Sequence, residues 1–404
     1  APCSLLPAPC SLLPAPCSLL LTYCQNENWA GYDPYDALNS RIFAATPFSR
    51  SRICRIVFTQ AMKRLRINIR PLLGIPKTQN AKAIALFLMA FVKLSRLGLL
   101  KDTHLVQQMI DKLAELRSPN TPYYHWGYSF PWQTRTILVP RGAPNLVCTT
   151  FVANALLDAY ELTHASNCLR MAVSAADYIV NELYWEQDDS VAGFSYPLPS
   201  VQARVHNANF LGAALLCRIY RQASSEKFLQ PALKVARYSA AKQREDGSWY
   251  YGEHSTQHWI DNFHTGYNLC ALRAVGQYAA TAEFEPHIRK GLDFYMSHFF
   301  EANGAPRYFH DRTYPIDIHS AAQSIITLLA MQDLDQRSIA LAKSVADWTM
   351  ENMWDDSGFF YYQVLPHYQD TTSYLRWSQA WMLLALSTIS EQSAGPHPAR
   401  PAGD

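Results

Sequence analysis

Charge is scarce in this sequence: 17% of its 404 residues are Asp, Glu, Lys or Arg, and the formal balance of +2 gives no overall pull toward an acidic or a basic partner. Acidic residues are missing altogether between Asp36 and Asp102, while Arg41, Arg50, Arg52, Arg55, Lys63, Arg64, Arg66, Arg70 and Lys77 fall in the same interval. That stretch reads first as a solvated helix face answered by acidic groups elsewhere in the fold. Its second reading is a peripheral contact, over residues 41–77, with an anionic polymer or a membrane surface. No nucleic-acid partner is expected. No Cys-x-x-Cys spacing occurs among the nine cysteines, which argues against a disulfide framework and fits a reducing, cytoplasmic setting. Long apolar runs are absent too: the richest, AKAIALFLMAFVKLSRLGLL, carries Lys82, Lys93 and Arg96 and falls short of a membrane span. The His-Glu-x-x-His, Walker and Gly-x-Gly-x-x-Gly patterns are missing, so no metal or nucleotide cofactor is expected.

What is present in surplus is aromatic: 13% of residues are Phe, Trp or Tyr, beside an apolar content of 49% that suits a large buried core. The first segment, APCSLLPAPCSLLPAPCSLLLTYC, repeats a seven-residue unit with proline every few positions and lacks a basic start. It is expected to be a disordered leader, over residues 1–28. A single domain is expected over 29–390, with a disordered tail over 391–404.

Within the domain the chain runs five times through the same order: an amphipathic helix, an aromatic cluster marked by Gly or Pro, a loop, and a nearly uncharged helix. The clusters are WGYSFPW from Trp126, GFSYP from Gly193, GSWYYG from Gly247, APRYF from Ala305 and GFFYYQ from Gly358. The uncharged helices are predicted to begin near Thr149, His206, His264, His319 and Tyr374, which are 57, 58, 55 and 55 residues apart. A sixth is predicted over 79–97. NFLGAALLC, SAAQSIITLLAM and QAWMLLAL are apolar or small all round, as helices buried on every side must be, whereas THLVQQMIDKLAELR and KFLQPALKVARYSAAKQRE carry charge on one face. With an N-terminal helix near 37–65 closing the set, six outer and six inner helices make an all-α (α/α)6 toroid, a six-hairpin barrel. The alternative is an open helical solenoid.

In a toroid every inner helix starts at one end, so the aromatic clusters gather into one mouth and the polar first turns of the inner helices form a ring. Thr150 with Asn154, His264 with Asn268, and His319 with Gln323 are i, i+4 pairs; His206 with Asn209 and Arg376 with Gln379 are i, i+3. Asp261 precedes His264 by three residues and Asp317 precedes His319 by two. A carboxylate and an imidazole can therefore meet at each of two junctions, as general acid–base chemistry requires, although both aspartates also suit N-caps. Glu253 and His206 are the substitutes for those roles. Zinc on His206, His264 and His319 would need ring nitrogens to converge from helices about 8–10 Å apart, and no metal is expected. Trp126, Trp132, Trp249, Tyr250, Trp259 and Trp377 offer flat faces to a sugar ring, and Asn154, Asn207, Asn268, Gln323 and Gln379 offer amides to its hydroxyls. Arg376 suits a uronic acid carboxylate.

Gln243, Gly247 and Trp249 stand in the Gln-x-x-x-Gly-x-Trp spacing seen in terpene cyclases, but the Asp-x-Asp-Asp acid of squalene-type cyclases is missing. A wider likeness covers Tyr32 to about Ser387. YDPYDALNS, NIRPLLGI, HNANFLGA, DGSWYYG, WIDNFHTGYNL, PIDIHSAAQ and RWSQAWM together resemble an uncharacterised family of (α/α)6-type bacterial proteins linked with exopolysaccharide and capsule biosynthesis. Some members carry the label delta-aminolevulinic acid dehydratase; that enzyme is a TIM barrel with Schiff-base lysines, whereas here the inner helices from Thr149 onward hold no Lys and no βα alternation occurs. The resemblance implies a sugar or oligosaccharide substrate. The expected activity is that of a glycoside hydrolase, lyase or sugar epimerase. A non-catalytic sugar-binding or scaffold component is the rival, and an isoprenoid cyclase the third reading. Oligomeric state is left open.

Overall fold

A computed structural model of the chain describes residues 15–65, 67–102, 104–119 and 121–393. In chain order the helices are α1 (Ala15–Asn26), α2 (Arg41–Ala44), α3 (Arg52–Arg64), α4 (Ala81–Arg96), α5 (His104–Glu115), α6 (Leu146–Thr163), α7 (Ser166–Tyr178), α8 (His206–Ala223), α9 (Glu226–Ala240), α10 (Asn262–Tyr278), α11 (Glu285–His298), α12 (Ile318–Ala330), α13 (Arg337–Met353) and α14 (Ala380–Ser393). Inner helices pack in the cyclic order α4, α6, α8, α10, α12, α14 and back to α4, which closes a ring and rules out an open solenoid. A second ring surrounds them, each outer helix lying against the inner helix before it: α5 on α4, α7 on α6, α9 on α8, α11 on α10 and α13 on α12. Burial explains the division. In α12 eleven side chains are buried over 13 residues, because small and apolar groups occupy every face; in α13 six are buried over 17, all on one side.

The sixth outer helix is α1, where the sequence leads one to expect a disordered leader. It packs on α14, so the first described helix and the last form one hairpin. Pro16 falls in the first described turn of α1, where a missing N–H is harmless, and the next proline is Pro34. Cys17, Leu20, Leu21 and Cys24 are buried in the main core. Residues 1–14 of the expected leader lie outside the described residues, as does the expected tail from 394 onward, while 391–393 complete α14. Two glycines show that α1 occupies a repeat position. Gly247 (φ +92°) would drive a Cβ to 2.3 Å from the Lys290 carbonyl of α11, and Gly358 (φ +92°) would drive one to 2.9 Å from the Leu19 carbonyl of α1.

The expected outer helix over 37–65 is instead an excursion of one short helical turn, α2, and one 13-residue helix, α3, inserted between the aromatic segment Gly31–Tyr35 and α4. Its own small core is Ala37, Met62 and Ile75, separate from the main one. Three of the five aromatic clusters belong to short antiparallel ribbons: β1 (Trp132–Gln133) with β2 (Leu138–Val139), β3 (Tyr184–Asp188) with β4 (Val191–Phe194), and, after β5 (Ile316–Asp317), β6 (Trp354–Asp355) with β7 (Phe359–Phe360); the clusters from Gly247 and Ala305 are loops held by isolated bridges. Strands β8 (Gln363–Leu365) and β9 (Tyr368–Asp370) extend β5 into a three-stranded sheet ordered β5, β8, β9.

Backbone bonds tie this end of the barrel together. The N–H at the start of each of three inner helices, and that of Leu375 in the helical segment Leu375–Gln379 that leads into α14, reaches the aromatic segment of the next repeat: His206 to Tyr251 (3.2 Å), Asn262 to Tyr308 (2.9 Å), Ile318 to Tyr362 (3.1 Å) and Leu375 to Tyr32 (3.2 Å). The last bond again makes the N-terminal segment the sixth repeat. Each otherwise orphaned helix-start donor thus fixes an aromatic cluster over the mouth.

Candidate active site at the toroid mouth

Between α8 and α10, under the aromatic segment after Gly247, lies a recess too narrow in this conformation to hold a water molecule, lined by Trp249, Tyr250, Tyr251 and Trp259, by Asn207, and by Asp261, His264, Thr265 and Asn268. Trp259 stacks on Tyr251 with ring centres 4.5 Å apart, and Tyr250 stacks on His258 at 4.3 Å, so the flat faces are held rigidly. Two acceptors here, Asn207 Oδ1 and Asn268 Oδ1, are buried without a hydrogen-bond partner. Such orphans cost about 1–3 kcal/mol each, which a donor from a bound hydroxyl or water would offset.

Asp261 is the N-cap of α10, and its carboxylate makes three hydrogen bonds. Its Oδ1 accepts the His264 backbone N–H at 2.9 Å; its Oδ2 lies 2.7 Å from His264 Nδ1 and accepts the Trp259 indole N–H at 2.9 Å. A three-residue separation lets cap and ring bond coexist, because the first helical turn folds the imidazole back over the cap. The His264 side chain is 22% exposed and the Asp261 side chain 1%. With the proton on Nδ1 directed at Asp261, Nε2 is the free basic nitrogen on the accessible side, the geometry of an oriented general base.

The second junction is built differently from the expected carboxylate–imidazole pair. Asp317 caps α12 through the His319 backbone N–H (2.8 Å), and its remaining acceptors take Trp377 Nε1 (2.9 Å) and Gln363 Nε2 (2.7 Å). No bond joins its carboxylate to the His319 ring, because a two-residue separation sends the ring toward the barrel axis. There His319 Nε2 lies 2.7 Å from Tyr267 Oη, and Tyr267 Oη lies 3.3 Å from Lys82 Nζ. Lys82 and Tyr267 were not expected at the site. The one available signal was a lysine in the first turn of a helix otherwise buried on all sides. Lys82 has no carboxylate partner and lies 4.0 Å from the centre of the Phe151 ring. Burial, reinforced by Arg376, holds its amine well below the ordinary lysine range. Burial likewise holds His319 well below its ordinary value, with Lys82 and Arg376 adding to the effect. Burial pushes Asp317 up to about 6. The axis itself is filled: Phe151 meets Tyr267 and Trp381 at 5.6 and 5.4 Å, and Phe263 stacks on His319 at 4.5 Å.

Other expected site residues turn away from the recess. His206 faces the outer helix α9, with Nδ1 3.3 Å from Ser239 Oγ. Glu253 accepts the Tyr238 hydroxyl and an Arg204 N–H at 3.4 Å. Arg376 is not free for a substrate carboxylate: Nε and Nη2 hold Asp33 at 2.6 and 2.8 Å, both side chains being nearly fully buried. Trp126 is core, its indole N–H bonded to Leu113 O at 2.7 Å, and Trp132 sits in β1 beside α3. Asn154 bonds Arg218 (3.1 Å) and Gln323 bonds Thr327 (2.9 Å), both within helix contacts. Gln379 pins the backbone of Phe360, accepting its N–H at 2.9 Å and donating to its C=O at 2.8 Å. Much of the polar ring therefore anchors the aromatic ribbons. Trp377 stands against His319, at 4.5 Å, behind the recess.

His206 has a consequence for stability. Burial pulls its pKa from 6.5 to about 4, so the fold prefers the neutral ring. That preference adds stability above the unfolded value and withdraws it as the pH falls from there toward the folded one. Denaturant melts at neutral pH and near pH 4.5 should differ by about 2–3 kcal/mol less in His206→Gln than in the parent. An unchanged difference would remove His206 as a contributor to acid unfolding.

No protein-family model and no curated protein sequence matches the chain. Solved structures share its fold. Cellobiose 2-epimerase from Spirochaeta thermophila aligns with 78% of this chain and 86% of its own at 12% identity and a TM-score of 0.59. A Listeria innocua protein aligns with 95% and 98% at 14% identity and a TM-score of 0.60. A GH76 α-mannanase from Bacteroides thetaiotaomicron aligns with 80% and 90% at 13% identity and a TM-score of 0.60. These likenesses place the chain among (α/α)6 toroids.

Proposed function

We propose that this chain is a carbohydrate-active enzyme that moves a proton at a sugar carbon, as an epimerase or a lyase does. His264 is the base, and Asp261 sets its tautomer. The observation that carries the reading is the Asp261–His264 pair lining a narrow recess with four aromatic side chains and two unpartnered amide oxygens, a recess whose aromatic rim must part to admit a ring. Apolar C–H faces of a pyranose suit the rings, and its hydroxyls suit Asn207 and Asn268. Hydrolysis by two opposed carboxylates is less well served. Among the described residues Asp261 is the one carboxylate lining the recess, and both its oxygens are engaged. The names of the fold neighbours, a sugar epimerase and a mannanase, support a sugar substrate by analogy of fold alone. The motif resemblance adds exopolysaccharide assembly as the setting. A prenyl chain finds no room on the aromatic-filled axis.

The test is exchange with solvent. Incubation with mono- and oligosaccharides in D2O, read by NMR, should show deuterium entering one ring or chain carbon of the true substrate. Saturable binding without exchange or bond cleavage would favour the non-catalytic sugar binder.

A further inference from the structure

We infer that the outer face of the 41–72 excursion docks on an anionic lipid bilayer. Ile42, Phe48, Ile53, Val57, Ile67 and Leu72 are 54–77% exposed there. Elsewhere among the described residues the large apolar side chains that stand out, Leu19, Leu138, Tyr314 and Ile339, reach 39–48%. Ile53 and Val57 are one turn apart on α3, while Thr59 and Met62 on its other face are buried, so the helix is held from one side and unpartnered on the other. Arg41, Arg50 and Arg52 are exposed beside them and form no ion pair among the described residues, unlike Arg70, which meets Asp36 at 2.8 Å. A segment that exposes six large apolar side chains and three unpaired arginines, with no Asp or Glu from 37 to 72, matches the headgroup boundary of an anionic membrane. A second copy of the chain would set the same positive charge against itself.

Position gives the contact a use. The excursion is inserted in the loop after an aromatic segment, at the mouth end of the barrel: Lys63 Nζ lies 3.4 Å from the centre of the Tyr35 ring, and Tyr35 lies 5.5 Å from Trp377. Docking by this face brings the rim of the mouth to the membrane surface, where a membrane-borne saccharide would be met. The bilayer contact stands on these surface features and not on the chemistry assigned to His264.

Co-sedimentation of the full chain with vesicles tests it. Binding is expected to phosphatidylcholine mixed with phosphatidylglycerol and not to phosphatidylcholine alone, and to weaken as salt rises. Ile53→Ser with Val57→Ser, and separately Arg50→Glu with Arg52→Glu, should each lower the bound fraction roughly tenfold, with circular dichroism unchanged. Ile339→Ser should bind as the parent does. Equal binding to both vesicle types, no binding by the parent, or a dimer in sedimentation velocity that the same variants dissolve while vesicles stay unbound would each overturn the inference. The lipid and salt dependence of the parent decides the matter even where a variant fails to fold.

Discussion

Replacing His264 by alanine is expected to lower turnover by about a hundred- to ten-thousand-fold, the usual contribution of a positioned general base, while leaving ligand affinity within a few-fold. The split follows from the geometry: the walls at Trp249 and Trp259 and the amides at Asn207 and Asn268 bind, and the imidazole stands among them without holding any of them in place. Asp261→Asn should behave similarly, and it separates the two uses of that side chain. Asparagine is as good an N-cap as aspartate, so Oδ1 keeps the helix start, but an amide does not hold the Nδ1–H tautomer as a carboxylate does. Kinetics of both variants, with affinity measured separately by calorimetry, check the expectation. Full turnover in His264→Ala would sink the assignment of the base. Loss of affinity in a chain whose parent has no turnover would move the protein to the sugar-binding class.

Removing residues 1–26 is expected to abolish the cooperative fold. Helix α1 buries Cys17, Leu20, Leu21 and Cys24, and its loss uncovers the α14 and Phe359 surfaces that it meets. At about 1.5–3 kcal/mol for each buried leucine-sized side chain, the helix contributes of order 5–10 kcal/mol, comparable with the roughly 5–15 kcal/mol net stability of a whole domain. The shortened chain should show a broad melt and bind a hydrophobic dye. Leu20→Ala, with the helix left in place, should cost about 2–5 kcal/mol in a denaturant melt. If the shortened chain melted as sharply and at the same temperature as the full one, α1 would not be the sixth outer helix.

These two expectations mark where sequence reading succeeds and where it stops. The inner helices were legible because burial on all sides leaves a run without charge, and such runs recur at a fixed spacing; predicted starts at His206, His264 and His319 compare with observed starts at His206, Asn262 and Ile318. Helix α1 was hidden because its composition belongs to the proline repeat before it, and a single proline changes meaning with its place in a turn. The helix expected over 37–65 is broken instead because Pro47 interrupts it and Ser40 and Ser51 cap new helix starts, signals outweighed in the sequence by the lack of acidic residues around them. At the site, Asp261 and His264 were legible from spacing, but spacing does not reveal which way a ring turns at a helix start. Hence Asp317 and His319 were expected to meet and instead serve Trp377 and Tyr267. Asn154, Gln323, Gln379 and Arg376 had the right chemistry for a ligand and satisfy partners inside the protein. Lys82 gave almost no signal, since one lysine in an apolar helix ordinarily reaches for solvent.

The hairpin of α1 with α14 carries a consequence for biosynthesis. Tyr23 bonds Ser373 across 350 residues, and Arg376 bonds Asp33 across 343. Helix α1, made before the rest of the barrel, must therefore wait, with Leu20 and Leu21 uncovered, until α14 has followed it. The barrel closes when α1 meets α14, and a nascent chain stalled before α14 would be exposed to chaperones and proteases along that seam.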